Sequence, residues 1–272
     1  MFPANAERFE TTIGIMAKYW EPGRVKTRLA QSLLVCPEAL QECTDVHFLG
    51  LLGARRGLDV RTQLLTVSAR LHERFVVQLL NELQDSGDTR ELVGSPKEAL
   101  VGMGAIAGPK WRVVDQGTGN LGDRMKRWFT TKMDKRGTGQ RREAAAVLIG
   151  SDCPLLSHGD LEGTWDLLGD HDIVLGPAFD GGYYLIGIAG DRRPEELATV
   201  FDDVAWSTET VLNQTIDAIE SLGWSLAMLT PKRDVDSAED LAELLTSFPS
   251  RRSDSVDQFR EDLIRILNFP ST

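Results

Sequence analysis

The chain has 272 residues, 42% of them hydrophobic and 26% charged, a composition typical of a globular protein and unlike disordered, collagen-like or coiled-coil chains. Its 30 Lys and Arg residues against 41 Asp and Glu residues give a formal net charge of −11, which disfavours non-specific binding to nucleic acid. A small phosphorylated ligand stays compatible with this charge if cations gather locally or a divalent metal is recruited.

The cysteines and the hydropathy pattern predict where the protein resides. Cys36, Cys43 and Cys153 form neither a CxxC pair nor an even framework, so we expect no zinc site and no disulfide scaffold. They favour a reducing, cytoplasmic location. The N-terminus does not resemble a secretion signal, and no stretch approaches the roughly 18 apolar residues that a membrane span needs.

In the first half of the chain, apolar patterning predicts three strands and three helices. The strands are expected at residues 11–17, 60–67 and 111–115, and the helices at residues 26–35, 37–56 and 71–83. Residues 84–110 are rich in Gly, Ser and Asp and give no clear element.

The second half alternates between strands and helices around a buried strand. Residues 145–150 (AAVLIG) are small and apolar, as in a strand covered on both faces, and they follow a basic surface loop at residues 134–143. Further helices are expected at residues 120–133, 157–168, 208–222, 237–248 and 256–267, and strands at residues 173–176, 183–189 and 225–229. This alternation predicts an α/β fold with a mostly parallel sheet. We expect one domain over residues 1–248 and a C-terminal helical extension over residues 249–272.

The first candidate for chemistry is a basic loop after strand one. If the loop is extended, Arg24, Lys26 and Arg28 point to one side, and the start of the next helix adds amide donors, which together would bind phosphate. The sequence is not a Walker A loop. A solvated basic turn is the alternative.

Carboxylates provide the second and third candidates. Asp152 follows the buried strand, and ligands of open α/β sheets gather at the carboxyl ends of strands, so it could hold a phosphate-bound metal. Its alternative role is to cap the next turn. Asp236 and Glu239 resemble a capping box, although Asp234 and Asp236 could also supply a second metal carboxylate.

Three further segments combine turn signals with polar side chains. In residues 176–184, Asp180, Gly181, Gly182 and Tyr183 suit either a plain hairpin or a ligand lying against backbone. In residues 116–122, Asn120 could cap a helix, while Gln116 and the free amides of Gly117 and Gly119 could read a base edge. Before another helix come Trp206, Ser207 and Thr208, where Ser207 or Thr208 is expected to be the N-cap and a substrate contact is the alternative.

Histidine chemistry has no support from the sequence. The four histidines are scattered and form no motif with Cys or Ser, so we expect surface or helix-end positions for His47, His72, His158 and His171. A Ser-His-Asp hydrolase is disfavoured because no GxSxG motif is present.

Six blocks, taken in the order of the chain, share the pattern of one family. They are AKYWEPGRVKTRLA (17–30), QGTGNLGDRM (116–125), LIGSDCPLL (148–156), IVLGPAFDGGYYLIG (173–187), FDDVAWSTETVL (201–212) and DVDSAEDL (234–241). Together they resemble the DUF2064 group of glycosyltransferase-like proteins, often labelled radical-SAM/selenodomain-associated transferase 1. The chain departs from the family pattern at Trp20, Asn120 and Ser237, where proline, aspartate and threonine are usual.

The resemblance implies a GT-A fold of the nucleotide-diphospho-sugar transferase type, with three α/β/α layers. The family is also similar to guanylyltransferases that act on 2-phospholactate or phosphoenolpyruvate. By that likeness Lys26 and Arg28 would hold phosphates, Gln116 and the following glycines would meet the base, and Asp152 and Asp236 would bind Mg²⁺ or Mn²⁺.

The leading expectation is therefore a metal-dependent transferase for which Lys26, Arg28 and Asp152 are the catalytic candidates. Glycosyl transfer from a nucleotide-diphospho-sugar and nucleotidyl transfer to a small phosphorylated acceptor both stay open, as does a non-catalytic nucleotide or sugar sensor. The residues around Asp180 and Trp206 would line the acceptor side. The acceptor and the oligomeric state, a homo-oligomer included, are left open.

Overall fold

The computed structural model describes residues 9–41, 43, 59–133, 143–190, 192–248 and 254–268. Most of the helix predicted at residues 37–56, His47 and nearly all of the predicted basic loop at residues 134–143 lie outside these ranges. The strands are β1 (Phe9–Lys18), β2 (Thr89–Ser95), β3 (Arg112–Asp115), β4 (Glu143–Gly150), β5 (Ile173–Pro177), β6 (Tyr183–Ala189) and β7 (Leu226–Met228).

The described α-helices run from residue 27 to residue 268. No helix in these ranges is both long enough and apolar enough to cross a membrane. Short 3₁₀ segments are found at Pro37–Leu40 and Lys97–Ala99. The α-helices are α1 (Thr27–Val35), α2 (Val60–Glu82), α3 (Leu100–Ala107), α4 (Leu121–Met133), α5 (His158–Leu168), α6 (Pro194–Phe201), α7 (Val211–Ser221), α8 (Ala238–Thr246) and α9 (Asp254–Asn268).

The chain divides into two compact units, each built from three stretches of sequence. The first, called the sheet unit, contains Met1–Ala17, Glu82–Gly150 and Leu156–Arg233. The second, called the helical unit, contains Lys18–Asn81, Ser151–Leu155 and Asp234–Thr272. The domain boundary expected at residue 248 is not tested by this division and stays a prediction.

Within the residues that the structure describes, the sheet has seven strands in the order β3-β2-β1-β4-β6-β5-β7. Parallel pairing joins β1 to β4, β2 to β3 and β5 to β7, whereas β6 runs antiparallel to both of its neighbours. The mostly parallel sheet predicted from the alternating pattern is thus confirmed, with β6, the fifth strand in this order, reversed.

Helices cover both faces of this sheet. Successive residues of a strand point to opposite faces, so Leu148 and Val147 of β4 mark the two sides. On the Leu148 side, the Trp128 ring of α4 lies so close to Gly14 that an added Cβ would be 2.6 Å from it. On the Val147 side, a Cβ added at Gly187 would lie 3.0 Å from the side chain of Leu168 in α5. The fold is therefore a three-layer α/β/α arrangement, and the predicted fold class is confirmed.

The helical unit has its own apolar core. Its members come from α1, α2, α8 and α9, and include Leu29, Phe75, Leu241 and Phe259. Phe75 and Phe259 are fully buried and meet edge to face, with ring centroids 6.2 Å apart. Because burial of each such side chain is worth about 1.5–3 kcal/mol, this cluster holds α9 against α2.

The strand predicted at residues 60–67 is wrong, because this stretch is the first part of α2. Leu64, Val67 and Leu71 recur at spacings of three and four and are all buried, so helical packing overrides the weak alternation and the β-branched residues. The unassigned residues 84–110 contain β2 and α3, and α6 was also missed. The remaining predicted elements that lie in the described ranges are present, with shifted ends.

Candidate functional site

The basic loop after β1 forms a tight turn. Arg24 N donates to Glu21 O at 3.0 Å, Lys26 has a left-handed backbone with φ 48° and ψ 36°, and α1 begins at Thr27. The prediction of an extended loop with three cations on one side is therefore wrong. Arg24 contacts Glu21 at 2.9 Å, whereas Lys26 and Arg28 both contact Asp236.

The Lys26 ammonium is surrounded by oxygen atoms. Nζ donates to Val235 O at 2.7 Å and to Asp236 Oδ1 at 2.9 Å, and it contacts Asp152 Oδ1 at 2.8 Å. The side chain is only 3% exposed. Burial lowers the pKa of Lys26, but the carboxylates of Asp152 and Asp236 raise it more, so its net pKa lies above the usual value and the group is charged.

Asp152 presents two different carboxylate environments. Its Oδ1 is buried and has no aligned hydrogen bond among the described residues, although it contacts Lys26, while the side chain as a whole is 42% exposed. Burial raises the pKa of Asp152, but the attraction of the Lys26 ammonium lowers it by more than burial raises it. The net pKa therefore lies below the usual value, and the carboxyl is ionised at neutral pH. Because Oδ1 is buried, the exposed part of the Asp152 side chain lies elsewhere on that side chain.

The segment that carries Asp236 is fixed to the Asp152 segment through the backbone. Val235 N donates to Asp152 O at 3.0 Å. Asp236 lies just before α8, and its Oδ2 accepts from Arg28 Nη1 at 3.2 Å. The Arg28 side chain is 80% exposed, so its remaining donors face solvent.

The capping box predicted for Asp236 and Glu239 begins one residue later. Ser237 Oγ accepts from Asp240 N at 3.1 Å, and Asp240 Oδ2 accepts from Ser237 N at 2.9 Å, so Ser237 is the N-cap of α8. Asp236 is therefore not the cap of this helix, and its carboxylate contacts Lys26 and Arg28 instead.

His72 belongs to the same cluster and was missed in the sequence. It lies in α2 with its side chain 5% exposed, and its Nδ1 is 3.7 Å from Asp152 Oδ1. The expectation of a surface or helix-end position for this residue is wrong. The residues four positions before and after His72 in the helix are buried, which indicates only that this face packs in the core. The sequence therefore gives no sign of a polar partner 80 residues away.

The glycine loop predicted to meet a base lies in the sheet unit. Gln116 Nε2 donates to Ala17 O and Val93 O, both at 2.9 Å, and its Oε1 accepts from Arg124 at 3.0 Å. Base reading by this buried side chain would break at least one of these bonds, so the structure supports a structural role for Gln116. Gly117 and Gly119 have φ of 74° and 99°, as a turn of this kind requires.

The predicted helix cap in this loop is confirmed. Asn120 Oδ1 accepts from Asp123 N at 2.9 Å, and Asp123 Oδ2 accepts from Asn120 N at 3.0 Å. This reciprocal pair begins α4.

The segments predicted to line the acceptor side also belong to the sheet unit. Asp180 Oδ1 accepts from Gly182 N at 2.9 Å, which closes the turn between β5 and β6. Tyr183 packs edge to face against Trp206 with ring centroids 6.4 Å apart, and burial raises the pKa of its hydroxyl.

Neither Ser207 nor Thr208 is the helix cap that the sequence predicts. The N-cap of α7 is Thr210, without a side-chain capping bond, while Thr208 Oγ1 donates to Ala205 O at 2.7 Å. Ser207 has a left-handed backbone with φ 67°. Thr208 instead closes the turn that precedes the helix.

The fit of a divalent metal is decided by the available donors. In the part of the chain that the structure describes, no group of three or more His, Cys, Asp and Glu side chains converges on a metal position. Asp152 and Asp236 nevertheless converge on one cation, the Lys26 ammonium. Magnesium is commonly held by one or two carboxylates with phosphate oxygens and waters as its other ligands, so this donor pair fits a metal that arrives with phosphate.

Solved structures with similar folds are available for comparison. A "putative nucleotide-diphospho-sugar transferase" from Desulfovibrio desulfuricans G20 is 26% identical, covers 94% of this chain and 97% of its own, and has a TM-score of 0.69. The 4-diphosphocytidyl-2C-methyl-D-erythritol synthase from Anaerococcus prevotii is 11% identical, covers 89% and 98%, and has a TM-score of 0.50. The second likeness concerns the fold alone.

Sequence comparison gives a narrower result. No curated protein matches the chain in sequence. The family model for DUF2064, described as an uncharacterized protein conserved in bacteria, matches residues 79–208, a stretch that runs from the end of α2 to the turn before α7. This match confirms the resemblance to DUF2064 over residues 79–208.

Proposed function

We propose that the protein is a metal-dependent transferase that uses an activated nucleotide, with glycosyl transfer from a nucleotide-diphospho-sugar as the leading reaction. The observation that carries the proposal is the convergence of Asp152 and Asp236 with the cations Lys26 and Arg28. The likeness to the Desulfovibrio desulfuricans structure supports the general class of nucleotide-using transferase.

The residues of the cluster have distinct roles in this proposal. Asp152 and Asp236 hold Mg²⁺ or Mn²⁺ through carboxylate oxygens, the ligands that these ions prefer. When bound, the metal offsets the charge of the diphosphate. Arg28, which is 80% exposed, binds a phosphate oxygen through its free guanidinium donors. No protein nucleophile is needed.

The remaining predicted contacts lie in the sheet unit and stay predictions of their own. Backbone amides of Gly117 and Gly119 would meet the nucleotide, and Asp180, Gly182 and Tyr183 would lie on the acceptor side, together with Gly181, Trp206, Ser207 and Thr208.

Nucleotidyl transfer to a small phosphorylated acceptor is the second candidate. When a metal neutralises the two carboxylates, Lys26 and Arg28 are left to match the higher charge of a triphosphate. In that reaction the acceptor phosphate attacks the α-phosphorus and pyrophosphate leaves, whereas in glycosyl transfer a nucleoside diphosphate leaves.

A thermal-shift panel of nucleoside triphosphates and nucleotide-diphospho-sugars, each with and without Mn²⁺, tests the proposal. We expect Mn²⁺-dependent stabilisation by at least one nucleotide-diphospho-sugar, because a ligand that binds only the folded state raises Tm. Stabilisation by GTP or CTP but by no nucleotide-diphospho-sugar would favour nucleotidyl transfer, and no stabilisation by any member would contradict both reactions.

Matched variants assign the effect to the cluster. Asp152→Asn and Asp236→Asn should abolish the Mn²⁺-dependent shift, whereas Asp217→Asn, an equal charge change at an exposed position of α7, should retain it. If both cluster variants bind nucleotide with metal as the parent does, the carboxylate assignment is wrong. Ligand binding without any turnover would point to the non-catalytic sensor.

A further inference from the structure

The two carboxylates of the cluster already have cationic partners. Lys26 contacts both Asp152 and Asp236, and Arg28 contacts Asp236. These four side chains carry two negative and two positive charges. A free divalent cation therefore meets a pair of carboxylates whose charge is neutralised by the protein itself.

Lys26 occupies the position where the carboxylates converge. Its Nζ lies 2.8 Å from Asp152 Oδ1 and 2.9 Å from Asp236 Oδ1, and the side chain is 3% exposed. A metal cannot share that position with the ammonium, because two cations at such a separation repel strongly.

The described residues also supply too few donors for a metal alone. They contain no converging group of three His, Cys, Asp or Glu side chains. Mg²⁺ requires six ligands in octahedral geometry, so two carboxylates leave most of its coordination to water or phosphate.

We propose that Lys26 and Arg28 act as built-in counter-ions that exclude free metal and exchange partners when a metal-bound nucleoside phosphate enters. Lys26 and Arg28 then turn from the carboxylates to phosphate oxygens, and Asp152 and Asp236 are released to the metal. Metal and nucleotide bind as a coupled pair, and each raises the affinity of the other by the same factor. This inference rests on the proposed function and adds a positioning role for Lys26.

The test measures Mn²⁺ binding without nucleotide by electron paramagnetic resonance. Removal of the ammonium in Lys26→Met should raise the Mn²⁺ affinity at least about tenfold, because one positive charge next to the carboxylates is lost. The gain should disappear in the double variant Lys26→Met with Asp236→Asn. Lys232→Met, which removes a lysine paired with Asp160 in the sheet unit, should leave the affinity unchanged.

A second variant covers the case in which Lys26→Met does not fold. Arg28→Met changes an 80% exposed side chain outside the apolar core and should also raise the affinity for free Mn²⁺, by a smaller factor. Equal Mn²⁺ affinity in the parent, Lys26→Met and Arg28→Met would overturn the exchange.

The coupling itself is measured with GDP as the probe. In the parent protein, GDP should raise the Mn²⁺ affinity at least about tenfold, and in Lys26→Met the increase should be smaller. A nucleotide-independent Mn²⁺ affinity in the parent would overturn the coupling. If no nucleotide of the panel stabilises the protein, the proposed function is contradicted instead. The Mn²⁺ affinities of the parent, Lys26→Met and Arg28→Met, measured without nucleotide, distinguish this failure from a failure of the exchange.

Discussion

His72 shapes the environment of Asp152 without supplying charge. A carbonyl only accepts hydrogen bonds, so the 3.0 Å contact to Lys18 O requires the proton on His72 Nε2. Burial lowers the pKa of His72 by more than Asp152 raises it, and the ring is neutral at pH 7. Its Nδ1 lone pair then faces Asp152 Oδ1, which takes its positive partner from Lys26.

The bond from His72 to the backbone predicts a difference between two substitutions. His72→Phe leaves Lys18 O without its buried donor and should cost about 1–3 kcal/mol in the free energy of unfolding. His72→Gln can place an amide nitrogen near the Nε2 position and should lose less. Urea unfolding measures both, and equal losses would mean that this hydrogen bond contributes little.

Gly181 lies in a turn where only glycine fits. Its φ is 88°, and an added Cβ would lie 2.1 Å from the backbone oxygen of Glu209. Gly181→Ala should therefore cost at least about 2 kcal/mol of unfolding free energy. As a control, Gly163→Ala in α5 meets no atom within 4 Å and should gain about 0.5–1 kcal/mol. Chemical denaturation of the two variants checks the opposite signs.

Single residues of the candidate site were predictable to different degrees. The acids Asp152 and Asp236 and the cation Lys26 follow recognisable motifs, and the structure brings them together. Gln116 is predicted to read a base edge, because its three hydrogen-bond partners lie 8 to 99 residues away and no local pattern reveals them. Partners that are distant in sequence leave no local pattern, which is also why His72 was missed.

At the scale of elements, a strongly patterned segment was predicted better than a mixed one. The apolar run of β4 and the capped start of α4 were read from local chemistry alone. Residues 60–67 combine β-branched side chains with helical spacing, and only the packed core selects the helix α2. β2 has only two buried apolar positions, Leu92 and Val93, and the Gly, Ser and Asp residues around it give no strand pattern.

Glu91 connects β2 to α4 and predicts a pH effect. Its fully buried carboxylate accepts from Trp128 at 2.8 Å and from Lys132 at 2.7 Å, and it contacts Arg112. Burial raises the pKa of Glu91, but these donors lower it more, so its net pKa lies below the ordinary 4.5. The stabilisation is present above the unfolded pKa and is lost as the pH falls through the lower folded pKa.

Glu91→Gln should accordingly cost about 1.5–3 kcal/mol at pH 7, with a cost that shrinks below about pH 4.5. Urea unfolding across the pH range measures the difference from the parent. Glu98→Gln, at an exposed position of a 3₁₀ segment, should show no comparable effect. A pH-independent cost for Glu91→Gln would rule out the ionised hydrogen-bonded carboxylate as its cause.

For the whole molecule, the net charge of −11 does not describe the candidate site. The four charged side chains in contact there balance one another, so the acidic excess lies elsewhere on the chain. Overall charge thus disfavours nucleic acid as a ligand and says little about a phosphate bound at one cluster. The division into two units was likewise not readable from composition.

The C-terminal helix is predicted to be an integral part of the helical unit. Phe259 of α9 is fully buried against Phe75 and Phe248. Phe259→Ala should lower the free energy of unfolding by about 3–5 kcal/mol, whereas the neighbouring exposed Gln258→Ala should change it by less than about 0.5 kcal/mol. Thermal unfolding of both variants decides the matter, and a small loss for Phe259→Ala would make α9 a dispensable extension.

The stretches of the two units alternate along the sequence, and this alternation affects the order in which the units can assemble during synthesis. The last stretch of the sheet unit ends at Arg233, whereas the helical unit needs the stretch that begins at Asp234. A ribosome therefore releases Lys26 and Asp152 long before Asp236, α8 and α9. Because domains fold as their sequence emerges, the sheet can form first while the helical unit waits for its third stretch. The carboxylate cluster is then among the last features of the molecule to be completed.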